Sequence, residues 1–322
     1  MPIDNSNMLK VIEEFPQQCR KGLELTKGIS VSGKIDKIVV AGMGGSAVGG
    51  DLLRIYMHSS KIPVFVVRDY KVPNFVDEKT LLFAVSYSGN TEETIAAFED
   101  AQKKKANIVA VTSGGALETK AKKIIKIPSG MQPRAALGYL FFPMLGTLNN
   151  SGIANVEGNE IKETLDILSK TNDFKILGEK IAKNIGTRTP VVYASEAIGT
   201  VAYRWKTQFN ENSKSPAFFH LFSEMNHNEI VGYQSMGKER FFSIFIRDNF
   251  DNERIKKRMD ITKEIISSRV DVEEVFTKGN YLLSRLLSGI YYGDFASYYL
   301  AIQNKIDPSP VMVIENLKKR MM

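Results

Sequence analysis

A run rich in β-branched residues, Lys37-Ile38-Val39-Val40-Ala41, passes straight into Gly42-Met43-Gly44-Gly45-Ser46 and then into a helical pattern through Leu52, Leu53, Ile55 and Tyr56. A buried strand that ends in a glycine-rich loop and restarts as a helix is the unit from which parallel α/β sheets are wound. The same alternation continues. Pro63 to Val67 and Leu81-Leu82-Phe83-Ala84-Val85 read as further strands, the second followed by Ser86-Tyr87-Ser88-Gly89-Asn90 and a helix with Ile95, Phe98 and Ala101 near helical spacing. Asn107 to Thr112 returns as a strand, and Lys123 to Ile127 adds a short one. Strands separated by helices require right-handed crossovers, which makes the sheet mostly parallel.

At 322 residues the chain is long for one core, and two domains are expected. The polar turn formers Asn149-Asn150-Ser151-Gly152 mark the linker, which gives domains 1–152, with a helical N-terminal extension, and 153–322. In the second, Thr189-Pro190-Val191-Val192-Tyr193 leads into Ala194-Ser195-Glu196-Ala197-Ile198-Gly199 and a helix, an echo of the opening unit. Phe241 to Ile246 supplies another strand, and the end is helical from about Leu282 to Gln303 and again after Pro310. The expected class is α/β, with two tandem domains that each hold a mostly parallel sheet flanked by helices.

Hydrophobic residues make up 43% and charged residues 25%, an ordinary globular balance. The start, Met1-Pro2-Ile3-Asp4-Asn5, lacks a signal-peptide pattern, and no apolar run approaches bilayer length, so no membrane partner is expected. The single cysteine, Cys19, cannot close an internal disulfide and reads as a small buried hydrophobe in a reducing compartment, the cytoplasm. The net charge of +7 is scattered over Lys103 to Lys105, Lys122-Lys123, Lys256-Lys257 and Lys318 to Arg320, with no interleaved aromatics. That argues against nucleic acid and suits a positive potential that collects a small dianion.

Two loops carry the chemistry. Gly42-Met43-Gly44-Gly45-Ser46-Ala47 fits a dinucleotide fingerprint with Ala at the last place, and Asp69 stands where a ribose ligand would be held. Ser86-Tyr87-Ser88-Gly89-Asn90-Thr91 weighs against that cofactor: it gathers Ser86, Ser88 and Thr91 around a glycine at a helix start. Backbone N–H groups at a helix N-terminus attract an anion, and hydroxyls add donors without adding charge. Capping the helix needs only one such residue, Ser88 or Asn90, so the cluster reads as a phosphate cradle.

Gly44-Gly45-Ser46 together with Ser86 to Thr94 closely resembles the sugar isomerase (SIS) domain. Pro133 to Tyr139, Asn210 to Lys214, Glu224 to Glu229 and Leu317-Lys318 narrow the resemblance to the archaeal-type bifunctional phosphoglucose/phosphomannose isomerases, over almost the whole chain. The resemblance implies two tandem SIS domains, a homodimer, no cofactor and no metal. It implies that Gly45, Ser46, Ser86, Ser88 and Thr91 hold the phosphate of a sugar 6-phosphate. It assigns Glu211 as the base of an aldose–ketose isomerisation through an enediol, Arg134 to the enediolate, and Lys318 and His227 to ring opening, His227 in the neighbouring subunit's site.

The residues themselves leave alternatives open. Glu211, flanked by asparagines, also reads as a surface charge paired with Lys214. Arg134 follows Pro133 at a helix start, where a cation opposes the dipole unless an anion binds beside it; otherwise it snorkels into water. Lys318 falls in an apolar stripe of Val311, Ile314, Leu317 and Met321, an unusual place for a lysine on a buried face. His220, Glu224 and His227 have the spacing of metal ligands on a helix, with an ordinary hydrogen-bonded histidine as the alternative for His220. A non-catalytic sugar-phosphate sensor would keep the serines and Thr91 but has no need of Glu211, Arg134 and Lys318 together. An aminotransferring synthase would need a glutaminase domain that this chain lacks.

Overall fold

The computed structural model describes residues 3–321. They divide into two units, one of Glu13–Asp166 and one of residues 3–12 with 167–321. Each is built on its own parallel sheet. The boundary expected after residue 152 lies just past helix Leu137–Asn150, and the division between the units falls one helix later, within Gly158–Leu168.

In Glu13–Asp166, strands β1 (Lys37–Ala41), β2 (Val64–Val67), β3 (Thr80–Val85), β4 (Asn107–Thr112) and β5 (Ile124–Lys126) lie in the order β2-β1-β3-β4-β5, every pair parallel. All six residues of β3 are buried, as both-faced cover by helices demands of a central parallel strand. On one face Val39, Ala41, Leu82, Ala84 and Ala110 pack against Ala97, Phe98 and Ala101 of helix Glu92–Lys103. Helix Leu137–Asn150 is apolar all round because it is enclosed, buried from Leu137 to Leu148. Cys19 is fully buried, and burial pushes its thiol pKa up.

In the other unit β6 (Thr189–Ala194), β7 (Phe218–Leu221), β8 (Phe241–Arg247) and β9 (Asp271–Phe276) lie in the order β7-β6-β8-β9, again all parallel. Strands β7 and β9 were not legible in the sequence. Both are edge strands, one four residues long and the other carrying Asp271, Glu273 and Glu274, so neither has the continuous apolar run of a central strand. Tyr193, Phe222, Met225, Tyr233, Phe245 and Met259 form a core on one face, and helix Leu282–Gln303 is buried along most of its length. The N-terminal segment belongs here: Asp4 takes the amides of Met8 and Leu9 at 2.7 and 3.0 Å, and Asn5 donates to Asp307 Oδ2 at 3.0 Å.

Each sheet reverses its winding once, between β1 and β3 and between β6 and β8. In open parallel sheets ligands bind outside the carboxyl ends of the strands at that reversal. The echo between the two halves of the sequence is therefore an echo of topology.

Candidate active site

The hydroxyl loop leaves β3 at the reversal of the first sheet. Ser86, almost fully buried, has its Oγ 2.9 Å from Thr91 Oγ1 and accepts from the Gly89 amide at 3.1 Å. Ser88 is exposed and takes the Asn90 amide at 3.2 Å, while Asn90 Oδ1 takes the Ala116 amide at 2.9 Å. Neither Ser88 nor Asn90 caps the following helix, contrary to expectation. Thr91 occupies the N-cap of Glu92–Lys103 with no side-chain cap hydrogen bond. Helix Gly44–Tyr56, which leaves β1 beside it, starts from Met43 with no side-chain cap either. Two helix N-termini and buried Ser46, Ser86 and the Thr91 hydroxyl thus converge at one reversal, an arrangement whose free donors suit an anion. Gly89 has φ +71°, and a Cβ there would lie 1.7 Å from Gly114 O, so only glycine closes this loop.

Arg134 belongs to the same unit. It sits in the short 3-10 turn Pro133–Ala135 and is 2% exposed, which removes the reading of a surface arginine that snorkels. Its guanidinium donates to Gln132 Oε1 at 3.4 Å. The turn rests on Gly45: a Cβ at that position would lie 3.0 Å from Pro133 O and 3.1 Å from Arg134 Cα. Gly45 therefore lets a buried cation pack beside the start of helix Gly44–Tyr56. Asp69 takes its neighbour Tyr70's amide at 2.6 Å and serves as a local turn residue.

In the second unit Glu211 closes helix Gly199–Glu211 and is half-buried. It lines a cleft of about 520 Å³ with Asn210, Lys214, Ile306, Asp307 and Pro310 to Ile314. The ammonium of Lys214 reaches the backbone around the end of the Glu211 helix. It donates to the carbonyl oxygens of Glu211 at 2.7 Å, Asn212 at 3.4 Å and Pro308 at 2.9 Å, with its backbone at φ +53°. The buried flank of this helix is polar: Arg204 and Gln208 donate to Asp294, and Asn212 Nδ2 to Ser297 Oγ at 3.0 Å. Burial raises the Asp294 pKa, opposed by Arg204 and Gln208. Such a seam is expensive unless fully paired and fixes the helix in one register against Leu282–Gln303. Sequence reading missed it, because its members come from segments some 90 residues apart.

Lys318 lies on helix Met312–Met321, and none of that helix is buried; Met312, Val313, Leu317 and Met321 are all more than half exposed. The expected buried stripe is thus an uncovered one within this chain. His227 is exposed at the end of the 3-10 turn Glu224–His227. His220, by contrast, lies on β7, so the helical spacing that would have offered His220, Glu224 and His227 to a metal does not exist. Among the described residues no group of three or more His, Cys, Asp or Glu is placed to hold a metal ion.

The reversal of the second sheet has a different chemistry. Ser195 follows β6 and Asp248 and Asp251 follow β8, all buried. Arg285 Nε donates to Asp248 Oδ2 at 2.9 Å and stacks on Phe250 with its guanidinium carbon 4.0 Å from the ring centre. Burial raises the Asp251 pKa, and the neighbouring Asp248 carboxylate pushes the same way. Carboxylates stand where the first sheet offers hydroxyls, and they repel a phosphate.

Comparison with known proteins agrees with this architecture. Residues 34–145 match the SIS domain, and residues 174–321 match the bacterial phospho-glucose isomerase C-terminal SIS domain. Among solved structures, a hypothetical protein from Thermus thermophilus is similar with a TM-score of 0.78 at 17% identity, covering 98% of this chain and 90% of that one. A glucosamine-6-phosphate deaminase from Thermotoga maritima gives 0.73 at 17%, covering 94% and 96%; at such identities the likeness is one of fold. In sequence the chain is 32% identical to the D-glucosamine-6-phosphate 4-epimerase of Sulfolobus acidocaldarius, covering 88% of this chain and 89% of that protein. It is 43% identical to the bifunctional phosphoglucose/phosphomannose isomerase of Thermoplasma volcanium, over 89% and 92% of the two chains. With the enzyme of that name from Caldicellulosiruptor bescii, identity reaches 44% over 98% of both. From two SIS domains, hydroxyls gathered at the first sheet's reversal and likeness along the full length, the chain belongs to the bifunctional phosphoglucose/phosphomannose isomerase family.

Proposed function

We propose that this protein interconverts glucose 6-phosphate, fructose 6-phosphate and mannose 6-phosphate by proton transfer through a cis-enediol(ate). The observation that carries the reading is the cradle of Ser46, Ser86 and Thr91 between two helix starts, with the Arg134 turn packed on Gly45. Gly45, Ser46, Ser86 and Thr91 bind the 6-phosphate, and Ser88 shapes the loop through the Asn90 amide. Glu211 moves the proton between C1 and C2, Arg134 steadies the enediolate oxygen, and Lys318 and His227 open the sugar ring. Rotation about C2–C3 of the enediol presents either face of C2, which yields the mannose epimer. The mechanism calls on side chains alone and on no metal or cofactor.

The working protein in this reading is a cytoplasmic homodimer in which His227 serves the neighbouring subunit. Its support is the exposed His227 turn and the uncovered apolar face of Met312–Met321, which a second copy would bury. No helix among the described residues is long and apolar enough to cross a membrane.

The test is incubation with fructose 6-phosphate and EDTA, separate quantification of glucose 6-phosphate and mannose 6-phosphate, and sedimentation of the same sample. Both products from a dimer are expected; glucose 6-phosphate alone would narrow the activity. Neither product, with fructose 6-phosphate still bound, would point to a sensor, and turnover of glucosamine 6-phosphate alone to an epimerase. Glu211→Gln should lower kcat by about 10²–10⁴ with fructose 6-phosphate affinity unchanged. Unchanged kcat would remove Glu211 as the base.

A further inference from the structure

The turn that carries His227 is fastened on both sides. On the N-terminal side Asn226 Nδ2 donates to Thr262 Oγ1 at 2.8 Å, a buried hydroxyl on helix Glu253–Ile266. Two residues beyond His227, Glu229 reaches back to the sheet. Its Oε1 accepts from Tyr193 OH at 2.5 Å and its Oε2 stands 2.8 Å from His220 Nδ1. Tyr193 on β6 and His220 on β7 are register partners, so one carboxylate spans two neighbouring strands near their carboxyl ends. Behind it Tyr193 OH meets Tyr233 OH at 2.6 Å, and Tyr233 OH meets Ser243 Oγ at 3.0 Å on β8. Asn228 closes the span, taking the Glu229 amide at 2.5 Å and donating to Glu224 Oε1 at 2.6 Å.

A chain of polar groups from β8 through β6 to a surface carboxylate is costly to bury for fold stability alone, since hydrophobic side chains would fill the same space. What it secures is the position of the backbone between Asn226 and Glu229, where His227 and Asn228 are the most exposed residues. Burial holds the Tyr193 phenol well above its ordinary range, so it remains a donor throughout the working pH range.

We propose that Glu229 is a positioning residue for His227, its carboxylate held by the Tyr193 phenol and lying against His220, so that the turn presents the imidazole at a constant place. This rests on the reading that His227 acts in ring opening. Misplacing a reacting group by about 1 Å costs up to about 100-fold in rate, which sets the scale of the effect.

The experiment is a double-mutant cycle of Glu229→Gln and His227→Ala in the full chain, with kcat, KM and affinity for fructose 6-phosphate measured for each. Glu229→Gln keeps the side-chain volume but removes the charge to which the Tyr193 phenol donates and which stands against His220. We expect kcat to fall about 10–100-fold with affinity within about twofold, and the same substitution to cost less than about twofold once His227 is alanine. A purely structural role would lower the folded fraction and reduce kcat equally in both backgrounds, which would overturn the proposal, as would unchanged kcat in Glu229→Gln. Tyr193→Phe removes one donor without a charge change and should reproduce the non-additivity at smaller size, so a poorly folding Glu229→Gln leaves the question decidable. Full turnover in His227→Ala would refute the role of His227 and this inference with it; no isomerisation by the unaltered protein would instead refute the function reading.

Discussion

Single residues here are sorted by what burial does to their charge. Arg134 and Asp251 are both buried at sheet reversals, one against the glycine-rich helix start at Gly45 and the other beside a second carboxylate. Asp251 has its pKa raised by burial, so its favourable contribution to folding is complete below the unfolded carboxyl value and is lost as pH rises through the folded one. Asn cannot ionise, so Asp251→Asn should raise Tm at pH 7 by about 2–4 °C, the shift that accompanies roughly 1 kcal/mol in a unit of this size. The advantage over the unaltered protein should vanish near pH 4 in thermal melts. An advantage that grew on acidification would reverse the sign of the argument. The hydroxyl residues of the first loop were legible because three donors around a glycine exceed what capping needs. The burial of Arg134 was not, since it depends on the absence of a side chain at Gly45, far away in sequence.

At the scale of elements, the central strands and the long helices were readable from periodicity, because each is covered on a face or all round by one dominant neighbour. Strands β7 and β9 were not, since edge pairing along the backbone needs no continuous apolar run, and neither were the 3-10 turns Glu224–His227 and Glu229–Ser235, which side-chain hydrogen bonds fasten. The terminal helix shows the converse: its stripe was correctly apolar, and the chain by itself leaves it bare. Lys214 is the element-scale device that periodicity missed altogether. A cation on three carbonyls at a helix C-terminus favours the helix dipole and ties the Glu211 helix to the segment before Met312–Met321. Lys214→Met should therefore speed amide exchange at Asn210 to Ser213 while leaving the middle of Leu282–Gln303 protected. Charge-assisted bonds of this kind are worth about 1.5–3 kcal/mol when kept from water, less for a side chain as exposed as this one. Unaltered exchange at those amides would mean the clamp holds nothing.

Over the whole molecule, one topology is used twice, with a cluster of hydroxyls at one reversal and paired carboxylates at the other. The chain should accordingly bind one fructose 6-phosphate per subunit in calorimetry, and Ser86→Ala should abolish that binding step rather than halve it. A second phosphate-dependent event would show that the carboxylate-lined reversal accepts anions after all. The second unit is also discontinuous: residues 3–12 complete a body whose remainder begins at 167, and Asn5 finds its partner only at Asp307. On the ribosome this imposes an order of events. Glu13–Asp166 is contiguous and can fold as soon as it has emerged, while the leading residues wait for about 140 more to be made, roughly 10–30 s at ordinary elongation rates. During that interval the Met8–Glu13 helix, with Met8 and Ile12 destined for burial, is an exposed apolar segment tethered to a finished domain.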